Sequence, residues 1–401
     1  MNTLTDINFK DKKALIRVDF NVPLDEDFNI TDSTRIKAAK PTIDKILKDG
    51  GAVILMSHLG RPQGVEEKYS LRHIRSVVSE VLGVPVKFVS DCIGNEVEKE
   101  ASELKMGEVL LLENVRFHSE EKKGDLQFAK SLAKLGDVYV NDAFGTAHRA
   151  HATTTTIAQF FPNNKCFGNL LANEITNINR FFKEGKKPVL AILGGAKVSS
   201  KITVIENMLN SIDRLIIGGG MIFTFSKAMG GTIGKSICED DKLNLALEIL
   251  AKAKEKNVEV LLPSDVLAAD TFSADAKTQI CDIKSIPEDW IGVDIGPDSA
   301  ASFSKAILES KTILWNGPMG VFEIEPFAKG TIAIGEAISK ATANGSFSLV
   351  GGGDSVAAAK KFGFDDKVSY VSTGGGAMLE SLEGKVLPGI EAIHSKQKSY
   401  S

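Results

Sequence analysis

The sequence predicts an α/β protein with two domains, each a mainly parallel sheet flanked by helices, joined by an interdomain helix. Short apolar runs rich in Val, Ile and Leu recur along the chain, as is typical of buried parallel strands. Longer segments of helical period separate these runs, which is the pattern of βα units. The chain has 401 residues, more than one compact domain normally holds, so we expect two hydrophobic cores.

The elements alternate in chain order. In the first half, strands are predicted at Ala14–Phe20, Ala52–Ser57, Val86–Ser90, Glu108–Glu113 and Asp137–Asn141. Helical periodicity there covers Thr34–Leu47, Leu71–Leu82 and Leu126–Leu135. In the second half, strands are predicted at Val189–Leu193, Arg214–Ile217, Val258–Leu262, Thr312–Trp315, Phe347–Val350 and Ser369–Ser372. Helices are predicted there at Ser200–Leu209, Leu243–Lys254 and Ala328–Ser339.

A helical segment, Leu170–Lys187, separates the two sets of strands. It ends in Glu184–Pro188, where Gly and Pro supply a stop signal. The segment lacks the Gly/Ser composition of a flexible tether. We therefore place the domain junction here and expect a helix that fixes the distance between the domains.

Composition excludes several functional classes. Lys and Arg number 48 against 52 Asp and Glu, a net charge of −4 that offers no excess positive field for nucleic acid or an anionic membrane. Four scattered cysteines without a CxxC pair argue against a disulfide framework or a thiolate metal site, and we expect them to be reduced and mostly buried. The polar N-terminus and the absence of a long apolar run predict a soluble, cytoplasmic protein.

The two halves carry different chemistry. Seven of nine arginines precede residue 150, whereas the Gly-Gly-Gly triplets, at 218–220, 351–353 and 374–376, all lie in the second half. Arginine fits carboxylate and phosphate oxygens with a planar pair of donors. Glycine lets backbone N–H groups approach phosphate closely at a helix start. The first half is therefore predicted to bind a small anion and the second half a nucleotide.

In the first half, polar residues follow four predicted strands. They occur in Arg17–Asn21, His58–Arg61, Asn114–His118 and Asn141–His151. Ligands of open α/β sheets bind outside the carboxyl ends of the strands, so these groups should converge in one crevice. A single arginine of this kind is more often a surface ion pair, but four strands ending this way favour an anion site. For His58, His148 and His151 we expect anion contact or structural hydrogen bonds rather than a metal.

In the second half, three glycine turns each follow a strand and open a predicted helix. In Gly194–Lys201, the two lysines Lys197 and Lys201 are four residues apart, which predicts that both lie on one helical face beside a phosphate. In Phe347–Ser355, Asp354 supplies a carboxylate suited to Mg²⁺, although taken alone it is at least as consistent with a helix N-cap. The third turn is Ser372–Ala377.

These motifs resemble the phosphoglycerate kinase family from end to end. The matching segments are Arg17–Pro23, Ser57–Pro62, Leu112–Phe117, Asn141–Arg149, Leu193–Lys197, Trp315–Pro318 and Gly351–Asp354. The resemblance implies a monomeric glycolytic enzyme with two Rossmann-like domains, which moves phosphate between 1,3-bisphosphoglycerate and ADP to give 3-phosphoglycerate and Mg-ATP. It assigns residues 1–169 to a phosphoglycerate-binding domain, 170–187 to the interdomain hinge and 188–384 to a nucleotide-binding domain. Residues 385–401 would form a tail that returns to the first domain.

The resemblance also implies roles for individual residues. The candidate phosphoglycerate ligands are Asp19, Phe20, Asn21, Arg35, His58, Leu59, Gly60, Arg61, Arg116 and Arg149. The candidate nucleotide-binding residues are Gly194, Gly195, Lys197, Lys201, Gly219, Gly292, Asn316, Pro318, Glu323, Gly351, Gly352, Gly353, Asp354 and Ser355, together with Thr373–Gly376. Asp354 is the candidate Mg²⁺ ligand. Arg35, Lys197, Lys201, Gly375 and Gly376 are the candidate catalytic groups.

One position departs from the family pattern, which usually has Asp where this chain has Ser200; we expect Ser200 to cap the following helix instead. Two other functions stay open. An NAD-dependent dehydrogenase would share the fold class, but no GxGxxG fingerprint is present. A non-catalytic nucleotide-binding module would keep the glycine turns without any use for the arginines.

Overall fold

The computed structural model describes residues 1–394 and divides into two compact units. Unit 1 consists of Met1–Thr176 and the chain from Val386 onward, and unit 2 of Asn177–Lys385. Residues 395–401, the end of the predicted tail, lie outside the described residues. Each unit contains its own parallel sheet and its own apolar core, which confirms the predicted fold class.

Unit 1 is built on a parallel sheet of six strands in the order β3-β4-β2-β1-β5-β6. The strands are β1 (Lys13–Arg17), β2 (Ala52–Met56), β3 (Val86–Phe88), β4 (Val109–Leu111), β5 (Val138–Asn141) and β6 (Lys165–Phe167). The helices are α1 (Thr34–Lys48), α2 (Arg75–Leu82), α3 (Asn95–Glu103), α4 (Ser119–Lys123), α5 (Leu126–Ala133) and α6 (Asn169–Phe182). Every residue of the apolar run in β2 is buried, as expected of a strand covered on both faces.

The strand register aligns the carboxyl ends of the central strands. Arg17, the last residue of β1, pairs with Met56 of β2 on one side and with Asn141 of β5 on the other. Leu55 of β2 pairs with Leu111 of β4. The loops that follow these four strands therefore leave the sheet at one edge, which is where the sequence places the arginine-bearing motifs.

Unit 2 repeats the plan with a parallel sheet in the order β10-β8-β7-β15-β16-β17. Its strands are β7 (Val189–Leu193), β8 (Arg214–Ile217), β10 (Glu259–Leu261), β15 (Thr312–Asn316), β16 (Phe347–Val350) and β17 (Tyr370–Val371). Its helices are α7 (Ile202–Met208), α8 (Ile222–Ala228), α9 (Leu243–Glu255), α10 (Pro297–Glu309), α11 (Lys329–Ala343), α12 (Gly353–Lys361) and α13 (Gly375–Leu382). The carboxyl ends of β7, β8 and β15 are again in register.

Several strands have no counterpart in the sequence prediction. Unit 2 also contains an antiparallel sheet of β11 (Asp265–Ala269), β12 (Thr278–Asp282) and β14 (Ile291–Ile295), and a parallel pair of β9 (Thr232–Ile233) with β13 (Ser285–Ile286). β6 in unit 1 was also not predicted. β6, β9 and β13 are only two or three residues long and β12 is mostly exposed, so these strands lack long apolar runs. β11 and β14 are five residues long and largely buried, and the sequence analysis missed them.

Other boundaries differ by a few residues. The predicted helix Leu71–Leu82 is a 3₁₀ turn, Leu71–Ile74, followed by α2. The predicted helix Leu170–Lys187 is α6, which ends at Phe182. The last described helix, α14 (Pro388–His394), packs on unit 1, where the Asn141 side chain donates to Gly389 O at 3.2 Å. Among residues 1–394, the structure has no helix of the length and apolar character that a membrane crossing requires.

Candidate functional site

Arg17 is the fixed centre of a cluster that we call the basic pocket, made of Arg17, Asp19, Arg35, His58, Arg116 and Arg149. Its side chain is fully buried, although it carries a permanent charge. Nε donates to Thr153 Oγ1 at 2.8 Å, Nη2 lies 3.1 Å from His58 Nδ1, and Nη1 donates to Val18 O. A buried guanidinium needs such partners because leaving its donors unpaired is costly.

The mouth of the basic pocket is shaped by the residues after β1 and β2. Asp19 forms an ion pair with Arg35, which projects from the first turn of α1. Asn21 Oδ1 accepts from Gly60 N at 2.7 Å. Gly60 has φ +64, and a Cβ there would lie 2.3 Å from the Tyr69 ring, so only glycine fits this close turn. The structure thus brings Asp19, Asn21, Arg35 and Gly60 together as predicted.

Arg116 carries unused hydrogen-bonding capacity. The residue is only 5% exposed, and its Nη1 donates to Gly60 O at 2.9 Å. Its Nε and Nη2 atoms have no hydrogen-bond partner in the part of the chain that the structure describes. Burial, and then the neighbouring Arg17 and Arg149, lower the pKa of Arg116 to about 10. A charge held at such cost, with free donors, is suited to an anionic ligand.

The histidines of this region are held neutral. Burial lowers the pKa of His58 well below its usual value, and the charges of Arg17, Arg116, Arg35 and Arg149 lower it further. The pKa of His151 falls to about 4, mainly through burial and then through Arg116 and Arg17. The neutral imidazole of His58 lies within hydrogen-bond distance of Arg17 through Nδ1 and does not add a fifth positive charge.

Two residues that the sequence analysis did not single out, Glu121 and Thr153, support the basic pocket. Glu121 of α4 is buried and accepts from the backbone N and Oγ1 of Thr153, at 2.9 and 2.6 Å. Thr153 in turn accepts from Arg17, so the Glu121 carboxylate holds the arginine through the threonine. Burial raises the pKa of Glu121, while Arg17 lowers it. A lone Glu in a helix gave no indication of this role.

The remaining predicted ligands of unit 1 differ in exposure. Arg149 is half-buried and its Nε donates to His148 Nε2 at 3.2 Å. Phe20 and Leu59 are buried: Phe20 N donates to Ser57 Oγ at 2.8 Å, and Leu59 O accepts from Asn114 Nδ2 at 2.8 Å. These two residues therefore shape the backbone. Arg61 is exposed.

Unit 2 contains a cavity of about 280 Å³ at the carboxyl edge of its sheet. Six of the predicted nucleotide-binding residues line it, namely Gly195, Gly219, Gly292, Pro318, Glu323 and Asp354. One wall is apolar and was not predicted; it comprises Ile222, Phe223, Ile237, Phe272, Ile291, Val293, Met319 and Val321. The motifs gave no indication of this wall because several of its residues belong to or follow the small sheets that lack apolar runs.

Glycines at the floor of the cavity permit close backbone contacts. A Cβ on Gly194 would lie 2.0 Å from Pro318 O, and one on Gly219, which has φ +69, would lie 2.5 Å from Gly195 N. The turns after β7, β8 and β15 therefore touch one another through their backbones. Gly292 is constrained differently, because a Cβ there would meet the Phe223 ring at 2.1 Å. These contacts explain why glycine is needed at each position.

The two lysines of the first glycine turn are not on a helix. α7 begins at Ile202, so Lys197 and Lys201 lie in the loop before it, and the prediction that they share a helical face was wrong. Ser200 does not cap the helix either, since its Oγ donates to Lys197 O and the N-cap residue is Lys201. The loop after β7 extends to Lys201, further along the chain than the sequence prediction placed its end.

Lys201 and Lys197 also differ in environment. Lys201 is half-buried and donates to Asn316 Oδ1, and Asn316 Nδ2 donates to Gly351 O at 2.7 Å. Burial lowers the pKa of Lys201, while the carboxylate of Asp354 raises it. Lys197 is exposed. The structure therefore connects the predicted residues Lys201, Asn316 and Gly351 in one chain of hydrogen bonds.

Two helices start where the other glycine turns predict. α12 begins at Gly353 after Gly352, which has φ +93, and Ser355 Oγ accepts from Gly317 N. α13 begins at Gly375 with Gly374 as its N-cap, and a Cβ on Gly375 would meet nothing within 4 Å. Its first N–H groups, which include Gly376, have no intrahelical acceptor, as in any helix start.

Asp354 is the residue best placed to hold a metal in this cavity. It is exposed at the cavity wall in the first turn of α12, where Gly352 is the N-cap, so the capping alternative for Asp354 is wrong. Mg²⁺ typically uses one or two carboxylates, completed by phosphate oxygens and water. Glu323 is a second exposed carboxylate in the lining, but Asp354 lies directly beside the glycine turn 351–353 and fits that requirement.

Comparisons with known proteins assign the chain to one family. The family model described as Phosphoglycerate kinase matches residues 4–385. A curated Phosphoglycerate kinase of Porphyromonas gingivalis is 56% identical, with 98% of this chain and 99% of that protein covered. Phosphoglycerate kinase 3, cytosolic, of Arabidopsis thaliana is 53% identical over 98% of both chains.

Solved structures show the same likeness in three dimensions. The structure of phosphoglycerate kinase from Coxiella burnetii has a TM-score of 0.90 at 41% identity, and that from Pyrococcus horikoshii OT3 has 0.82 at 32%; each covers 98% of both chains. The likeness extends over both units, and it decides against the dehydrogenase and non-catalytic alternatives. The chain belongs to the phosphoglycerate kinase family.

Proposed function

We propose that the protein uses the basic pocket of unit 1 for the phosphoglycerate and the cavity of unit 2 for the nucleotide. The reaction is reversible phosphoryl transfer between 1,3-bisphosphoglycerate and ADP, giving 3-phosphoglycerate and ATP. The assignment of the two sites rests on the difference between the chemical groups that line them. Unit 1 holds a buried cluster of arginines, and unit 2 holds a cavity floored by glycine backbone.

The basic pocket has groups for each part of a phosphoglycerate. Arg116 has two free buried donors, and Arg35 and Arg149 contribute further charge beside it. One guanidinium group can bind a phosphate or a carboxylate with two parallel hydrogen bonds. Asp19 accepts hydrogen bonds and is suited to a substrate hydroxyl, and Asn21 and neutral His58 supply further polar contacts. Arg61, exposed after β2, completes the predicted set.

The cavity of unit 2 suits a nucleotide because it is apolar on one side and lined by glycine turns on the other. The apolar side fits a base, and the N–H groups at the start of α12 and α13 fit phosphates. Bound there with the nucleotide, Mg²⁺ would be held by Asp354 and would neutralise phosphate charge.

The chemistry needs no general base. In the ATP-consuming direction the nucleophile is the carboxylate of 3-phosphoglycerate, which is already ionised at neutral pH. Catalysis then reduces to positioning and charge stabilisation of the transferring group. We assign the latter to Arg35, Lys197, Lys201 and the N–H groups at Gly375 and Gly376. The half-buried position of Lys201 strengthens its interaction with a phosphoryl oxygen.

The two subsites belong to different units, so transfer requires a step that brings the bound reactants into line and excludes water. We infer that α6, which spans the boundary between the units, is part of the hinge for this step. We further propose a monomer located in the cytosol, and the cytosolic phosphoglycerate kinases of Arabidopsis thaliana and Nicotiana tabacum, both relatives of this chain, support that location.

A coupled assay with 3-phosphoglycerate, ATP and Mg²⁺ tests the proposal, with Lys201→Ala and Arg35→Ala as the informative variants. Loss of a charge matched to the transition state should lower kcat by roughly 100-fold or more, with a modest change in the KM for ATP. Lys305→Ala, which removes an exposed lysine of α10, is the matched control and should keep normal turnover. If either test variant raised KM and left kcat unchanged, that residue would have only a binding role.

A further inference from the structure

A second cluster of metal-ligating side chains lies in unit 1 outside the basic pocket. It consists of Asp91, Cys92 and His118, whose ligand atoms all lie within 4.8 Å of one another. Neither the proposed chemistry nor the phosphoglycerate contacts use any of the three. Their donors are a carboxylate oxygen, a sulfur and an imidazole nitrogen, which together form a typical ligand set for Zn²⁺.

The fold holds the two contributing loops side by side. Asp91 and Cys92 follow β3, and His118 follows the 3₁₀ turn that comes after β4. β3 and β4 are neighbours, with Phe88 paired to Leu111. Beyond the strands the pairing continues, because Val89 N donates to Leu111 O at 3.2 Å and Glu113 N to Asp91 O at 3.3 Å. The cluster is therefore preorganised by the sheet.

Contacts within the cluster orient the donors toward one point. Asp91 Oδ1 accepts from Cys92 N at 2.6 Å and lies 2.7 Å from His118 Nε2. The His118 ring also packs on Phe128, with 5.3 Å between ring centroids. Cys92 is fully buried, whereas Asp91 is exposed and His118 partly exposed, so solvent reaches the cluster from the side of those two residues.

The local charge favours a cation, because the cluster contains the exposed carboxylate of Asp91 beside a thiol and an imidazole. A divalent ion bound to these three groups would also stabilise the thiolate of Cys92. The hard ion Mg²⁺ disfavours sulfur, so this cluster and the nucleotide-bound Mg²⁺ call for different metals.

We propose that Asp91, Cys92 and His118 bind Zn²⁺ with water in the fourth position. On binding, a metal–sulfur bond forms and the thiol proton of Cys92 leaves to solvent. The His118 proton that Nε2 donates to Asp91 shifts to Nδ1 through solvent, so the neutral ring binds the metal through the freed Nε2. Three protein ligands with one open position match the coordination of zinc sites that exchange a ligand.

Cobalt titration of the full-length protein, stripped of metal and without nucleotide, tests the site. Co²⁺ replaces Zn²⁺ in such sites, and a cobalt–thiolate bond gives a near-ultraviolet charge-transfer band that cobalt on carboxylate or imidazole alone does not give. We expect the band to saturate at one equivalent per chain and to disappear when Zn²⁺ is added. Absence of the band, or cobalt binding without it, would overturn the proposal.

Substitutions then locate the ligands. Cys92→Ser should abolish the band, and Asp91→Asn and His118→Ala should each weaken cobalt binding by roughly tenfold or more. Cys238→Ser is the matched control, because Cys238 Sγ also lies beside a carboxylate, 3.4 Å from Asp240 Oδ1, but outside this cluster. A band that survives Cys92→Ser, or that is lost in Cys238→Ser, refutes the assignment. Because Cys92 is buried, thermal denaturation is used to check that Cys92→Ser folds. If it does not fold, the variants at the exposed Asp91 and the partly exposed His118 still test the site, because unchanged cobalt affinity in both would refute the assignment.

Discussion

Replacing Arg116 by methionine separates a ligand-binding role from a structural one. Arg116 is buried, its charge is disfavoured by burial and by Arg17 and Arg149, and two of its donors are unpartnered within the described chain. Methionine keeps most of the side-chain length and removes the charge. We expect Arg116→Met to abolish tight binding of 3-phosphoglycerate while hardly changing the stability of the ligand-free protein.

The expected magnitudes follow from the contacts. The variant loses the hydrogen bond to Gly60 O, worth about 1 kcal/mol. It also escapes the unfavourable burial of a charge, and the lowering of the pKa from 12.5 to about 10 corresponds to about 3 kcal/mol. Leaving Gly60 O without its donor costs a further ~1–3 kcal/mol, so the opposing effects should change the free energy of unfolding by less than ~2 kcal/mol. Loss of two charge-assisted bonds to the ligand, at about 1.5–3 kcal/mol each, predicts at least ~100-fold weaker binding.

Urea denaturation without ligand gives the stability, and calorimetric titration with 3-phosphoglycerate gives the affinity. Arg72→Met is the matched control, because Arg72 is an exposed arginine of the same unit that stacks over Phe88. It should bind 3-phosphoglycerate normally. The reasoning fails if Arg116→Met binds within threefold of the unsubstituted protein. It also fails if the variant loses more than ~2 kcal/mol of stability, since Arg116 would then be a structural residue.

Three further outcomes are expected. Asp294, buried at the cavity wall, has a pKa raised to about 7, chiefly by burial. Because the pKa is raised in the folded state, the free energy of unfolding should fall as pH rises from about 4 to 7. Urea denaturation at pH 5 and pH 8 should show a decrease of up to ~3 kcal/mol in the free energy of unfolding, and Asp294→Asn should lack this decrease. Equal decreases in the two proteins would contradict this. Gly194→Ala should destabilise the protein by ~2 kcal/mol or more in thermal denaturation because its Cβ meets Pro318 O, whereas Gly375→Ala, in open space, should fold normally and lose turnover. Finally, NMR should show no titration of the His58 ring between pH 5.5 and 8, since burial and the arginines hold its pKa low; a midpoint within that range would show that the ring is not shielded as described.

Much of the fold could be predicted because the main strands are continuous apolar runs. The strands at Val189–Leu193, Arg214–Ile217 and Phe347–Val350 have the bounds expected from the sequence. Both faces of a buried parallel strand are covered by helices, so nearly all of its residues are apolar and the run is easy to recognise in the sequence. The small sheets of unit 2 could not be predicted, because two-residue and exposed strands are stabilised by their partners rather than by their own composition.

For the candidate site, the sequence identified residue types and the ends of strands. It placed arginines after four strands of unit 1 and glycine turns after those of unit 2, and the parallel register brings these loops to one edge of each sheet. It misjudged Lys197 and Lys201, because a spacing of four does not distinguish a helix from a loop. No local pattern could show that Glu121 holds Arg17 through Thr153, because Arg17 lies more than a hundred positions before both residues and Thr153 lies 32 positions after Glu121.

The amino-acid sequence by itself determined the two parallel sheets, the chemical difference between the units and the family, since these depend on local composition and on motifs read in order. Only the tertiary structure decided which hydrogen-bond donors remain available to a ligand. Whether a guanidinium is satisfied or a carboxyl is neutral depends on burial and on neighbours brought together from distant parts of the chain. Arg17 and Arg116 are alike in the sequence, yet packing gives the first a partner for each nitrogen and leaves two nitrogens of the second available to a ligand.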